Sequence, residues 1–275
     1  MAAHTLDSVF SSLWVDYVDF NPQAKKIHDV ILSKEKSVDS STNELVNDHI
    51  ALRTYNIPHI GLEALSSLFT KHGYSKGGEY IFEDKKLRAW HFEHPDQNRP
   101  KVFISELETE KLSPLVQETA KKAAQAIDPS KAKTEDLLWS RRPWKASHAT
   151  YKKLLEESEY AAWMYAFGFR SNHFTISVNR LKAFDGLTNL NAFVKSQGYP
   201  LNQAGGEVKG TKEQFLEQSS TLAEKTKVQF EEGEFEIPAC YYEFALRHPM
   251  SNGKLYQGFV TSSADKIFES TNVKR

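Results

Sequence analysis

The chain states one pattern twice, and each statement begins at a histidine. The first runs Asn47-Asp48-His49-Ile50-Ala51-Leu52-Arg53-Thr54, a strand pattern, followed by a helix-like run from Ile60 to His72 and then Gly73-Tyr74. The second runs Ser171-Asn172-His173-Phe174-Thr175-Ile176-Ser177-Val178, with a helix-like run from Gly186 to Ser196 and then Gly198-Tyr199. His49 to Tyr74 and His173 to Tyr199 are separated by almost the same number of residues. Internal duplication constrains a fold more than any local propensity, because the two copies must pack as equivalent units. A duplication that sets one histidine at the same point of each copy also offers a way to bring two metal ligands together.

The surrounding sequence extends each copy. After the first helix come strand patterns near Glu79–Glu83, at Leu87–Glu93 and at Lys101–Glu106, with Pro95-Asp96-Gln97-Asn98 supplying turn chemistry. After the second come a Gly205-Gly206 loop, a further helix expected from Lys212, and strands near Val228–Glu232 and Cys240–Arg247. A strand, a helix and three strands, occurring twice, is the plan of a paired βαβββ module. The expectation is an α+β fold in which two such modules form a curled sheet around a cavity. Thr5 to Lys36 reads as helical, broken at Pro22. Glu108 to Arg170 is rich in Lys, Glu, Ala and Leu and reads as a helical insertion. The expected organisation is one domain over 1–275: an N-terminal helical segment (1–43), a first module (44–107), a helical insertion (108–170), and a second module with a C-terminal segment (171–275). Within the last part, Gly258 to Ser270 is expected to pack back onto the sheet.

Composition narrows the function. Among 275 residues, 35 basic side chains nearly balance 36 acidic ones, so no general case arises for nucleic acid or an anionic membrane as partner. The single cysteine, Cys240, excludes an internal disulfide. Met1 to Phe20 lacks the basic start and apolar stretch of a secretory signal, and Asp7, Asp16 and Asp19 argue against an Arg-rich transit peptide. No apolar run is long enough to span a bilayer, and Lys274-Arg275 is too short a targeting signal. A soluble, cytoplasmic protein is the expectation; the sequence leaves the oligomeric state open.

Strand alternation indicates what enters the cavity. With His49 facing in, Ala51 and Arg53 share its side; with His173 facing in, Thr175 and Ser177 do. The same alternation groups Tyr241, Glu243, Ala245 and Arg247. The other faces of these strands are mainly apolar and suit packing against helices. A lone strand histidine is ordinarily just a hydrogen-bonded polar residue. Two at equivalent repeat positions, with a matching acid, fit the two-histidine, one-carboxylate set that leaves open positions on a divalent ion. Imidazole and carboxylate suit Fe(II), Mn(II), Co(II) or Zn(II) alike. Arg53, about 13 Å along the strand from His49, could grip the far carboxylate of a bound acid or serve a structural ion pair. Arg247, four residues after Glu243, is a weaker candidate for the same task. Glu106 is a fourth ligand, which would suit Lewis-acid isomerisation, an acid behind a ligand histidine, the preferred reading, or simply a polar strand end. No Ser/His/Asp order, phosphate loop or Cys-based zinc motif stands out.

At these residues the chain resembles the 2-oxoadipate dioxygenase/decarboxylase family, formerly DUF1338, whose fold is similar to the vicinal oxygen chelate group. The segments that carry the resemblance are Asn47 to Thr54, Phe103-Ile104-Ser105-Glu106-Leu107, Arg142-Pro143-Trp144, Glu157-Ser158-Glu159-Tyr160-Ala161-Ala162-Trp163, Asn172 to Asn179, and Tyr242-Glu243-Phe244. The resemblance implies Fe(II) held by His49, His173 and Glu243, with Arg53 on the substrate. It further implies a 2-oxo dicarboxylic acid, 2-oxoadipate, cleaved with O2 to 2-hydroxyglutarate and CO2 in lysine catabolism. Ser262 and Ser263 fall where the family has a short substrate-contacting segment, although Ser262 differs from the pattern there. The alternatives are a glyoxalase-like metal isomerase or lyase using Glu106 as a fourth ligand, and a non-catalytic module that binds a small acid.

Overall fold

The computed structural model describes residues 4–268. The Lys274-Arg275 terminus and the last two positions of the Gly258–Ser270 segment lie outside the described residues. In chain order the regular elements are α1 (Leu6–Phe20), α2 (Pro22–Val38), β1 (Asn47–Tyr55), α3 (Leu62–Thr70), β2 (Ser75–Phe82), β3 (Leu87–Glu93) and β4 (Lys101–Leu107). They continue with α4 (Pro114–Ala126), α5 (His148–Glu157), α6 (Glu159–Phe167), β5 (Ser171–Ser177), α7 (Gly186–Ser196), β6 (Lys209–Thr211), β7 (Leu216–Ser220), β8 (Lys225–Phe230), β9 (Gly233–Pro238), β10 (Glu243–Arg247) and α8 (Thr261–Phe268).

Eight strands form one sheet in the order β2-β3-β4-β1-β5-β10-β7-β6. The duplication is visible in that order. β1 and β5 lie at the centre and pair antiparallel. Outward from β1, β4 is parallel to it, and β3 and β2 follow antiparallel. Outward from β5, β10 is parallel to it, and β7 and β6 follow antiparallel. Each half is thus a βαβββ module. The β8–β9 hairpin is inserted into the second and pairs apart from the main sheet.

The helix expected from Lys212 does not form. Lys212–Gln214 is a single 3₁₀ turn, and the residues around it are the short strands β6 and β7. Glu, Gln and Leu there carry good helix propensity, but pairing with β10 decides the outcome. Gly210 permits this tight hairpin: its φ is 81°, and a Cβ there would stand 2.1 Å from the Leu216 carbonyl oxygen. Pro22 breaks the N-terminal helical region as expected, opening the first turn of α2, where a missing N–H costs nothing.

The outer face of the sheet buries its apolar residues against helices. Phe174 of β5 and Tyr242, just before β10, pack on Trp14 and Tyr17 of α1, with ring centroids 5.0–6.4 Å apart. α3 lies over β3 and β4, and α7 over β7 and β10. The inner face encloses the polar residues. α6 closes the curl at one end, where the Tyr160 hydroxyl donates to the Ser105 carbonyl at 2.7 Å and accepts the Thr54 amide at 3.0 Å. α8 closes it elsewhere, packing on β2, β6 and β7, that is, on both outer edges of the sheet.

Candidate metal centre

Three side chains meet on the inner face at the β1–β5 seam. His49 Nε2 lies 3.4 Å from Glu243 Oε1, and His173 Nε2 lies 3.4 Å from Glu243 Oε2. The ligand atoms of the three residues all fall within 4.8 Å of one another. The sheet register explains the meeting. Ala51 of β1 stands opposite His173, and Thr175 of β5 stands opposite both His49 and Glu243. Thr175 Oγ1 is 3.1 Å from His49 Nε2.

Each imidazole is oriented from behind by the residue that precedes it. His49 Nδ1 donates to Asp48 Oδ1 at 2.8 Å, and His173 Nδ1 donates to Asn172 Oδ1 at 3.0 Å. Neighbouring strand residues normally point to opposite faces. A register shift between Asn47 and His49 lets Asp48 break that rule, as bulges re-aim side chains. With both Nδ1 atoms donating, both Nε2 atoms present lone pairs to Glu243 and the cavity.

The electrostatics favour a cation. Burial holds the His49 imidazole neutral and depresses His173 further, with His49 and Arg53 adding to the effect at His173. Burial pushes the Glu243 carboxyl up to about 8; Asp48 adds to this, while Gln218, Arg247 and Lys209 oppose it. Gln218 Nε2 donates to Glu243 Oε1 at 2.5 Å, but Glu243 Oε2 has no hydrogen-bond partner among the described residues. A buried carboxylate oxygen without a donor is costly. Two neutral imidazole nitrogens and that oxygen fit a divalent ion, whose bonds to such donors are about 2 Å long. Burial tends to raise the Asp48 carboxyl as well, but the Arg247 guanidinium and the His49 ring override it and hold Asp48 well below the usual carboxylate range.

The triad lines a cavity of about 20 Å³, completed by Phe103, Gln218 and Tyr241 and roofed by Phe259, Ala264 and Ile267. The Tyr241 ring stacks on His173 at 4.7 Å, and Phe259 meets His49 edge-on at 4.8 Å.

The other expected site residues are placed as follows. Arg53 is buried on the same face as His49, but at the α6 end. Its Nη1 donates to Glu159 Oε1 at 3.3 Å, and its guanidinium lies over the rings of Tyr160 and Trp163 at 4.8 and 5.0 Å. Ser262 is exposed at the start of α8; Ser263 is buried beside Gly210. Glu106 lies near the end of β4 and is neither a ligand nor the acid behind a ligand histidine. Its Oε1 accepts from Arg88 Nε and Nη2 at 3.0 and 2.5 Å, and its Oε2 accepts from the Leu62 amide at 2.8 Å, the first residue of α3. It therefore anchors a helix start, where negative charge is favourable. Arg247, read from its strand face as a weak candidate for the acid's far carboxylate, instead clamps Asp48. Gln218 and Phe259 were not legible. Asp48 and Asn172 carried a signal, since they precede the two histidines at equivalent points of the repeat.

Fold and site together define a protein of vicinal-oxygen-chelate-like architecture, built from paired βαβββ modules, with a two-histidine, one-carboxylate centre for a divalent metal. The model of the 2-oxoadipate dioxygenase/decarboxylase family matches residues 9–133 and 131–255, and the chain belongs to that family. The chain is 34% identical over 290 residues to the chloroplastic 2-oxoadipate dioxygenase/decarboxylase of Arabidopsis thaliana, covering 96% of this chain and 76% of that one. The crystal structure of the hydroxyglutarate synthase of Oryza sativa in complex with 2-oxoadipate superimposes with a TM-score of 0.86 at 33% identity, covering 97% of this chain and 91% of that one. A crystal structure from Shewanella frigidimarina NCIMB 400 gives a TM-score of 0.88 at 47% identity, covering 94% of this chain and all of that one.

One expectation is corrected by these relatives. The curated plant proteins are chloroplastic or chloroplastic/amyloplastic, so the cytoplasmic assignment is withdrawn. It rested on the absence of secretory and transit-peptide features in Met1 to Phe20 and of an apolar run long enough to span a bilayer. Among the described residues no helix is long and apolar enough to cross a membrane.

Proposed function

We propose that this chain acts as one Fe(II)-dependent metalloenzyme domain that converts 2-oxoadipate and O2 into 2-hydroxyglutarate and CO2. His49, His173 and Glu243 hold the ion in this reading, and Arg53 meets the distal carboxylate of the substrate. The observation that carries it is the buried His49–His173–Glu243 cluster, set in a chain whose relative from rice was crystallised with 2-oxoadipate. The donor set suits several divalent ions, and Fe(II) is preferred because two imidazoles and one carboxylate leave open positions for both an acid and oxygen.

Iron supplies, when bound, coordination for a 2-oxo acid and electron transfer with O2 that protein side chains lack. The residues do the rest. Glu243 offsets part of the metal charge and receives a fixed hydrogen bond from Gln218. Asp48 and Asn172 fix the tautomers and ring planes of the two histidines. Phe259, Phe103 and Ile267 give the cavity an apolar lining that would limit competing solvent if the roof closes again over the acid. Arg53 is buried against Tyr160 and Trp163 and held by Glu159, a preorganised cation that sorts dicarboxylic from monocarboxylic acids. The balance is complete: both oxygen atoms of O2 enter the products, and the carbon lost as CO2 is the C1 carboxylate.

The test is anaerobic reconstitution with Fe(II) and 2-oxoadipate, followed by admission of O2. One CO2 and one 2-hydroxyglutarate per substrate are expected; oxygen-independent turnover, or no product at all, overturns the reading.

A further inference from the structure

Arg247 uses its whole guanidinium inside the protein. Nε and Nη2 donate to Asp48 Oδ2 and Oδ1 at 2.7 and 2.9 Å. Nη1 donates to the carbonyl oxygens of Tyr256 and Gly258 at 2.9 and 2.8 Å. Cζ sits 5.2 Å from the centre of the Phe259 ring. One side chain therefore touches the carboxylate that orients His49 and the turn that delivers Phe259 over the site. Both Arg247 and Asp48 are almost wholly buried, so the bidentate pair is shielded from solvent and geometrically fixed.

The turn matters because of the size of the cavity. About 20 Å³ holds little more than one water. A 2-oxo acid reaches His49, His173 and Glu243 only when Phe259 and the α8 side chains Ala264 and Ile267 stand aside. The segment from Tyr256 to α8 is therefore a cover. Its tethers include the two Arg247 contacts, a hydrogen bond from the Phe259 amide to the Tyr80 hydroxyl at 3.0 Å, the Tyr256 amide to the His248 carbonyl at 3.1 Å, and Asn202 Nδ2 to the Lys266 carbonyl at 3.2 Å. Among the described residues the second histidine has no counterpart to this chain of contacts. Behind His173 stands the neutral Asn172, whose Nδ2 has no hydrogen-bond partner among the described residues. Among the described residues, His49 is the one ligand histidine connected through a charged chain to the cover.

We propose that Arg247 is a positioning residue that couples the cover segment 256–268 to the orientation of His49 through Asp48. An ion on His49 then tightens the cover, and a displaced cover loosens the grip on the ion, because coupling between two sites is reciprocal. The proposal rests on the metal reading of the triad and deepens it.

The experiment measures Co(II) affinity by competition with a chromophoric chelator, and amide hydrogen exchange across residues 256–260, in the full chain. In the wild-type protein, Co(II) loading is expected to slow exchange in 256–260 by about fivefold or more, without a matching change in β2 and β3. Asp48→Asn is expected to weaken Co(II) binding about tenfold and, at saturating Co(II), to abolish the slowing. Direct packing of Phe259 on His49 would preserve it. Arg247→Lys, which keeps a cation opposite Asp48 but not the fork, is expected to weaken Co(II) binding by a similar factor and to speed exchange in 256–260. Exchange that ignores Co(II) in the wild-type protein overturns the coupling, and so does slowing that survives in Asp48→Asn. If the wild-type protein takes up no Co(II), the metal reading itself fails and the coupling falls with it; uptake without slowing leaves the metal reading intact and overturns the coupling alone.

Discussion

Glu243 reaches toward His49 with one carboxylate oxygen and toward His173 with the other, at 3.4 Å in both cases. A single acid from the second module thus faces one histidine from each module. Neither imidazole carries a charge to compensate it, since burial keeps both neutral. The metal-free site is therefore electrostatically unfinished, and its behaviour without an ion can be worked out.

Burial raises the Glu243 carboxyl from 4.5 to about 8 in the folded, metal-free protein. The unfolded chain releases this proton first, so between those values the folded state binds more protons and stability falls as pH rises. The contribution is fully present below about pH 4.5 and is lost by about pH 8. Thermal melts of metal-free wild-type protein and Glu243→Gln at pH 5 and pH 8 should diverge, with the variant gaining a few kcal/mol relative to wild type at the higher pH. Saturating metal should reverse the order by stabilising wild type alone. Parallel pH profiles for the two proteins would show that Glu243 does not carry this penalty.

His173→Ala should abolish stoichiometric metal binding while leaving the far-ultraviolet circular dichroism unchanged. The ring packs mainly on Tyr241, so a loss of about 1–3 kcal/mol in stability is expected. Full occupancy of iron in the variant, read by elemental analysis, would remove His173 from the ligand set.

Arg53→Met tests substrate orientation. Loss of a charge-assisted contact worth about 1.5–3 kcal/mol should raise KM for 2-oxoadipate about ten- to hundredfold. A 2-oxo acid without a distal carboxylate should show the same KM with both proteins. An equal change for both acids would mean that Arg53, through Glu159 and α6, supports the fold rather than the substrate.

Glu106→Gln keeps the side-chain shape but removes the charge that Arg88 and the start of α3 use. Because Arg88 is partly exposed and screened, the expected cost is about 1–2 kcal/mol, measured by denaturant titration. Metal stoichiometry should be unchanged. A fall in stoichiometry would return Glu106 to the ligand set.

The parts of this molecule set by short-range pattern were legible in the sequence. β1, β5 and β10 alternate polar and apolar residues, which set His49, His173 and Glu243 each on the polar face of its strand; the family resemblance then implied that the three act as one set. The modules around them followed from the duplication. What escaped depended on tertiary pairing. β7 is composed of residues that also make good helices, and only its ladder with β10 makes it a strand, so Gln218 was invisible as the partner of Glu243. Asp48 was hidden by its register shift, because strict alternation points it away from His49. Arg247 was assigned to the correct face, but its partner is nearly two hundred residues away, beyond the reach of strand periodicity. Glu106 does not stand at the repeat equivalent of Glu243: Phe103 pairs with Ala51 as Glu243 pairs with Thr175, each partner two residues after its histidine, and α3 begins close enough to claim the Glu106 carboxylate.

The seam between β1 and β5 joins the two modules, and the triad straddles it, with one donor from the first half and two from the second. An ion bound there is a cross-link between distant parts of the chain, closing a loop of more than a hundred residues between His49 and His173. Such closures restrict the unfolded chain far more than the folded one. A reaction centre at this seam would in this sense also be a clasp of the molecule: stripping the ion would take away the catalyst and a cross-link that reinforces the β1–β5 ladder.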